Sequence, residues 1–357
     1  MKVLFKKKRK WEWSIMLLVL FCGFTLTGCQ AERKEETEKA STISGNAAET
    51  KVDRLQVVTT IFPYYDFVRQ IAGEYADVTM IVPAGMDTHS FEPTAEDMVE
   101  IGKADVFIYN GGEMETWVPK VIDASGNETL FADSMMDYVE TFVEEHVEGM
   151  DQEKGHDHEQ TDDDAYGADQ EDEQHGHGEE LDEHIWTSPE NAQKIVAQIA
   201  KDLAKVDEKH KDQYLENAQK YMKELEKIDE QFEEVVSQAK NHYLVFADRF
   251  PLRYFVEEYD LEYTAAFAGC SSETEPSADT LAYLTDQVKK YQLPVVLKIE
   301  LTSSRVADII AETTGARVEV FSTCHNVTKE QLEEGETYLS LMEKNISVLK
   351  DALEVSS

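Results

Sequence analysis

One amphipathic segment near the middle of the chain constrains the fold more than any other feature. Its apolar side chains are spaced alternately by four and three positions, which indicates a single buried helical stripe. The stripe consists of Tyr214, Ala218, Tyr221, Leu225, Ile228, Phe232, Val235 and Ala239. Thirty helical residues span about 45 Å, enough to cross two lobes. A coiled-coil dimer is the alternative, but Tyr and Ala at seam positions favour packing within the chain.

Short strand-like and helix-like patterns alternate on both sides of this helix. Strands are predicted at 55–62, 78–82, 106–109, 243–246, 263–267, 295–299 and 318–321. Helical patterns lie at 64–72 and 94–104 and start again near Ser277, Ser303 and Thr328. Because such alternation builds parallel sheets, we predict an α/β fold of two parallel-sheet lobes joined by one long rigid helix.

The predicted domain boundaries follow from this alternation. Ser188 and Pro189 form a typical helix start, with a hydroxyl cap before a proline. The first lobe is predicted at 55–187, the linking helix at 188–240, with an interruption near His210, and the second lobe at 241–357.

The amino terminus is typical of an export signal. Six of the first ten residues are basic, and the apolar stretch at 15–26 is too short for an easy bilayer span. The sequence Leu26-Thr27-Gly28-Cys29 resembles the lipobox of bacterial lipoproteins, so we expect removal of residues 1–28 and lipidation of Cys29. An ordinary signal peptide with an incidental cysteine is the alternative. Residues 29–54 are polar and would tether the fold to the outer face of the cytoplasmic membrane.

The charge balance excludes one class of partner and favours another. The chain has 34 Lys and Arg against 73 Asp and Glu, a net charge of −39, which repels nucleic acid and attracts cations. About 17 of these charges fall within 144–183, which also holds five histidines, four of them in the pairs His156/His158 and His175/His177. We predict a mobile loop that collects metal weakly. The alternative is a solvated charge run in which the histidines are incidental.

Two histidines lie where ordered elements are predicted. His89 is in the loop after the strand at 78–82, and His184 directly precedes the helix cap at Ser188. The open edge of an α/β sheet beyond its strand ends is where ligands gather. Either histidine alone would more often be structural, but together with the acidic loop and export they predict a metal site.

Three phrases carry a family resemblance. They are GMDTHSFEPT at 85–94, DEHIWTSPENA at 182–192 and IELTSSRVADIIAETTGARV at 299–318. With the lipobox and the acidic loop, they resemble the zinc/manganese substrate-binding lipoproteins of ABC importers, the cluster A-I solute-binding proteins. That family has two α/β lobes bridged by a long helix, with a metal site in the cleft between them. Its first two histidine ligands map onto His89 and His184.

This sequence departs from the family's pattern at the other two ligand positions. The third ligand position falls on Ala247, and Asp248 beside it either replaces the ligand or pairs structurally with Arg249. The fourth position reads 321–326, where His325 is the strongest replacement, with Cys324 behind it. Such donors favour Zn²⁺ over Mn²⁺. A carboxylate from the loop holding Glu273 and Glu275 would shift the balance toward manganese.

The implied function is the capture of a divalent metal ion, most simply zinc, and its delivery to an ABC import permease. The alternatives are a manganese receptor of the same family and a surface metal buffer or adhesin. We expect a monomer. We also expect no enzyme activity, since the His-Glu-x-x-His motif of zinc hydrolases is missing from the sequence. Binding should weaken below about pH 6.5, the ordinary imidazole pKa. Cys270 and Cys324 remain either a disulfide or free thiols.

Overall fold

The structure is a computed structural model that describes residues 54–151, 180–271 and 275–355. The predicted signal peptide, the lipidation site at Cys29, the tether and most of the acidic loop lie outside the described residues. Across the described ranges, no helix combines the length and apolar character that a bilayer crossing requires.

The first lobe is a four-stranded parallel sheet with connecting helices. Its strands are β1 (Leu55–Thr59), β2 (Ala76–Met80), β3 (Val106–Tyr109) and β4 (Phe131–Ser134), in the order β2-β1-β3-β4. Its helices are α1 (Phe62–Ala72), α2 (Ala95–Lys103) and α3 (Val118–Ser125). Val57 of β1 pairs with Val78 of β2 on one side and with Val106 of β3 on the other, so valines of three neighbouring strands lie side by side in the sheet.

Two helices follow the first lobe. They are α4 (Pro189–Val206) and α5 (Lys211–Ser237), separated by a short turn at the predicted interruption. The Ser188 hydroxyl accepts the Asn191 N–H at 3.0 Å, as the helix-start pattern predicts. With 27 residues, α5 is about 40 Å long. It packs against α4 and α1, and Tyr214, Leu225 and Phe232 of its stripe are fully buried within the chain.

The second lobe repeats the sheet topology of the first. Its strands are β5 (Tyr243–Phe250), β6 (Glu262–Ala268), β7 (Val295–Lys298) and β8 (Arg317–Val320), in the order β6-β5-β7-β8. Its helices are α6 (Arg253–Glu258), α7 (Ala278–Tyr291), α8 (Arg305–Thr314), α9 (Lys329–Glu334) and α10 (Tyr338–Ala352). All pairings are parallel. The predicted α/β class with two parallel sheets and a long helix is therefore confirmed.

The ends of the predicted acidic loop are ordered. Val143 and Leu181 form an antiparallel bridge, and the Glu144 N–H donates to the Glu180 carbonyl at 2.8 Å. The chain therefore leaves the first lobe and returns to it at one point, directly before the His184 segment.

Candidate metal centre

A short turn after β2 presents His89. The turn Thr88–Ser90 is one turn of 3₁₀ helix, and Asp87 caps it because its Oδ1 accepts the His89 backbone N–H at 3.0 Å. The imidazole thus projects from a loop at the end of the first sheet, where the sequence places it.

Of the candidate ligands, His184 is the most buried, and a neighbouring carboxylate holds it. Asp182 Oδ1 lies 2.9 Å from the His184 backbone nitrogen and 3.1 Å from its ring Nδ1. An ionised carboxylate only accepts hydrogen bonds, so Nδ1 carries the proton and Nε2 keeps its lone pair. This Nε2 is buried and has no hydrogen-bond partner among the residues that the structure describes. A buried acceptor without a partner is costly, and a bound cation would satisfy it.

The segment before His184 is anchored by contacts that sequence reasoning missed. The Glu183 carboxylate accepts the backbone N–H groups of Glu113 and Met114, the latter at 3.0 Å. Burial raises the pKa of Glu183 to about 7. Gly112 makes room for this carboxylate: it has a φ of 82°, and a Cβ there would lie 2.4 Å from Glu183 Cδ. The sequence signal for this contact is the pair Gly111-Gly112 directly after β3.

His325 comes from a tight turn in the second lobe. The buried Glu300 carboxylate accepts the backbone N–H groups of Thr323 at 2.7 Å and His325 at 3.2 Å, and the Thr323 hydroxyl at 2.7 Å. Cys324 between them adopts a left-handed φ of 58°. Glu300 was not predicted as a site residue, although an acidic residue directly after a buried strand is a visible signal for one.

The three imidazoles converge. His89, His184 and His325 each offer a nitrogen, and these atoms lie within 4.8 Å of one another. The ring centroids form a nearly equilateral triangle with sides of 5.5, 5.5 and 5.6 Å. Trp186 closes one side, 4.8 Å from the His325 ring, and its indole N–H donates to the Thr323 carbonyl at 2.9 Å. A cavity of about 140 Å³ adjoins the triangle.

Burial favours the neutral form of two of the three imidazoles, His89 and His325. Burial, together with the neighbouring His184 and Arg249, lowers the pKa of His89 to about 3. Burial and the other two imidazoles also lower the pKa of His325 well below its ordinary value. Protons therefore compete for these two rings at lower pH than 6.5, so we revise the expectation based on ordinary imidazoles.

Asp248 does not join the triangle. Its Oδ2 accepts the Thr302 hydroxyl at 2.5 Å and the Ile299 N–H at 3.4 Å, which ties the end of β5 to the loop after β7. Arg249 forms its ion pair with Asp87, at 2.9 Å, and not with Asp248. The structure thus gives Asp248 a structural arrangement, because hydroxyl and backbone donors already occupy its carboxylate.

The remaining candidate donors also lie apart from the triangle. Cys270 and Cys324 are both free thiols, so of the two alternatives the structure has the unpaired one. Glu275 pairs with Arg305 at 2.8 Å, and Glu273 lies outside the described residues. Within the described ranges the candidate site is therefore a set of three imidazole nitrogens, a donor type that suits zinc.

Comparisons with known proteins identify the family of this chain. The family model of ZnuA, zinc-uptake complex component A, periplasmic, matches residues 57–352. The high-affinity zinc uptake system protein ZnuA of Bacillus subtilis strain 168 is 31% identical over 349 residues, which are 97% of this chain and 99% of that protein. The zinc-binding lipoprotein AdcA of Streptococcus pneumoniae strain R6 is 31% identical over 340 residues, 95% of this chain but 60% of AdcA.

A solved structure shows the same architecture. The crystal structure of the Zn(II)-bound ZnuA-like domain of Streptococcus pneumoniae AdcA superposes with a TM-score of 0.67 at 30% identity. The match covers 84% of this chain and 99% of that domain. On the family match, the sequence identity and the shared fold, the chain belongs to the ZnuA family of periplasmic zinc-uptake components.

Proposed function

We propose that this protein captures a zinc ion outside the cytoplasmic membrane through His89, His184 and His325 and delivers it to an ABC import permease. One observation carries the proposal: three buried or half-buried imidazoles converge, and one of them holds a buried Nε2 with no partner among the described residues. The relatives named as zinc uptake and zinc-binding proteins support the same cargo.

The donor set supports zinc over manganese. Manganese favours carboxylate and other oxygen ligands, whereas imidazole nitrogens suit zinc. In the parts of the chain that the structure describes, the carboxylates near the triangle are engaged by N–H and hydroxyl donors, as Asp182 and Asp248 show. The site therefore offers a divalent ion three imidazole nitrogens.

The anchoring and the passive role belong to the same proposal. Lipidation of Cys29 would hold the protein at the membrane, with 29–54 as a flexible tether. In this proposal the two lobes are 55–187 and 241–357, and 188–240 links them. We propose that it works as a monomer and makes or breaks no bond, since the family is a transport component. The relative named as a lipoprotein supports the anchor.

Calorimetric zinc titration of the His89→Ala variant tests the proposal. A nanomolar dissociation constant corresponds to about −12 kcal/mol, and loss of one of three ligands should weaken zinc binding by about 100-fold or more. At free zinc a thousandfold above Kd, the wild-type protein should gain about 4 kcal/mol of stability. The exposed His242 provides the matched control, since it directly precedes β5 and is not one of the three converging histidines. Unchanged zinc affinity in His89→Ala would refute the assignment.

A further inference from the structure

The loop that carries His89 is held from the opposite lobe. Asp87 belongs to the first lobe, and its Oδ2 accepts a hydrogen bond from Arg249 Nη2 at 2.9 Å. Arg249 lies at the end of β5 in the second lobe, and its Nη1 donates to the Ser271 carbonyl at 3.3 Å. The ion pair therefore crosses the cleft.

The same carboxylate also positions the ligand. While Oδ2 of Asp87 faces Arg249, its Oδ1 accepts the His89 backbone N–H at 3.0 Å. The Arg249 side chain is 13% exposed and the Asp87 side chain 46% exposed, so the pair is partly shielded from water. Because one rigid carboxylate joins both bonds, a displacement of Arg249 from Asp87 is transmitted directly to the turn that presents His89.

A second contact holds this loop independently. Asn326 of the second lobe donates its Nδ2 to the carbonyls of Pro83 and Met86, at 2.9 Å each. Asn326 is buried and follows His325 in the chain. Arg249 and Asn326 therefore hold the loop at 83–89 from the second lobe, and the His325 ring also contacts it, 2.5 Å from the Thr88 hydroxyl.

Of the three ligands, His89 has the weakest support within its own lobe. His184 is fully buried and hydrogen-bonded to Asp182, and the turn of His325 is held by three bonds to Glu300. His89 lies on a single surface turn. Departure of a metal ion requires one ligand to withdraw first, and withdrawal of His89 away from the second lobe breaks the Asp87–Arg249 pair.

We propose that the Asp87–Arg249 ion pair is a clasp across the cleft that sets the rate of zinc release, with Arg249 as a positioning residue that acts through Asp87. This inference rests on the proposed zinc site. The clasp restrains the exit of the ion and leaves its capture unaffected, because the pair forms fully only when the His89 loop lies against the second lobe.

Stopped-flow transfer of zinc to a fluorescent chelator tests the clasp. Arg249→Met should raise the zinc dissociation rate about 3- to 10-fold and change the association rate less than about twofold. Arg249→Lys should restore much of the slow release, because it keeps a charge for Asp87. Arg317→Met is the matched control, since Arg317 forms its ion pairs with Glu319 and Asp351 inside the second lobe.

A double-variant cycle and ionic strength separate the clasp from a general loss of structure. Asp87→Asn and Arg249→Met should each speed release, and the double variant should release zinc no faster than the faster single one. Raising salt should speed release in the wild type and not in Arg249→Met, because only the former has an ion pair to screen. An unchanged or slower release in Arg249→Met, or additive single effects, would overturn the clasp. Tight zinc binding lost in His89→Ala with unchanged release in Arg249→Met would reject the clasp alone, and unchanged binding in His89→Ala would reject the zinc site itself.

Discussion

The Asp182 carboxylate should control zinc affinity without touching the metal. Its Oδ1 accepts both the backbone N–H and the ring Nδ1–H of His184, at 2.9 and 3.1 Å. This contact fixes the ring orientation and makes the imidazole more basic. Loss of such a partner typically weakens metal affinity by about 10- to 100-fold, or about 1.4 to 2.7 kcal/mol.

Two substitutions divide this effect into charge and geometry. In Asp182→Asn the remaining Oδ1 can accept both N–H groups, so only the charge is lost, and we expect about 3- to 10-fold weaker zinc binding. Asp182→Ala removes both bonds and should show the full effect of about 10- to 100-fold. Affinity is measured by competition with a chelator, and the visible spectrum of the Co²⁺ form reports the ligand geometry. Melting temperatures of the metal-free variants show whether each one still folds.

Asp207 provides a matched control for this experiment. It makes the same kind of contact with a histidine away from the triangle, with Oδ2 2.6 Å from Nδ1 of His210. Asp207→Asn should leave zinc affinity within about twofold of the wild type. If Asp182→Ala also remained within that range, the argument that this carboxylate orients a ligand would be refuted.

Three further predictions follow from charges and burial. The pKa of His89 is lowered to about 3 and that of His325 is also lowered, so these two rings should hold no proton for zinc to displace at pH 5. Calorimetry at pH 5 in buffers of different ionisation enthalpy counts the displaced protons, and a value near three, as for three ordinary imidazoles, would contradict this expectation. Burial and the neighbouring Asp133 raise the pKa of Asp202 to about 8. The folded protein therefore keeps a proton on Asp202 that the unfolded chain releases near pH 4, so the free energy of unfolding falls as the pH rises from about 4 to about 8. Asp202→Asn should therefore stabilise the protein by about 1 to 3 kcal/mol at pH 8 and by progressively less toward pH 4 in urea unfolding, and an equal gain at both pH values would count against a raised pKa of Asp202. Deletion of 152–179 should remove weak zinc sites and keep one tight site in a titration, whereas a metal buffer would lose nearly all of its capacity.

Local periodicity was sufficient to predict most of the two sheets, and the exceptions have physical reasons. Strands β1 (Leu55–Thr59) and β3 (Val106–Tyr109) were predictable because both are short, mostly buried runs of mainly apolar residues, as expected for central parallel strands. The strand β4 was missed: its sequence is Phe-Ala-Asp-Ser, and each residue is only partly buried at the edge of the sheet. Helix α6 was also missed, because it has only six residues and follows Pro251 closely.

The sequence predicted the candidate ligand positions more completely than the contacts that hold them in place. His89 and His184 lie in short segments that resemble the family locally, and His325 lies at a position where the resemblance implies a ligand; the structure brings the three rings together. The supports act over long sequence separations, since Glu183 accepts N–H groups some 70 residues earlier. No local pattern encodes such a pairing. Asp248 shows the converse: the sequence placed it near the site, but hydroxyl and backbone donors of the loop after β7 occupy its oxygens.

One arrangement connects the acidic character of the chain to its choice of ligands. Each histidine of the triangle donates its own backbone N–H to a carboxylate: His89 to Asp87 at 3.0 Å, His184 to Asp182 at 2.9 Å and His325 to Glu300 at 3.2 Å. These carboxylates therefore fix the main chain at each histidine, and the three imidazole rings converge. Hard cations such as Ca²⁺ and Mn²⁺ favour oxygen donors, so carboxylates committed to N–H groups lower the affinity for them, while three preorganised imidazole nitrogens would keep the affinity for zinc. Selectivity in this protein then depends on what the carboxylates are bonded to, and not on how many surround the site.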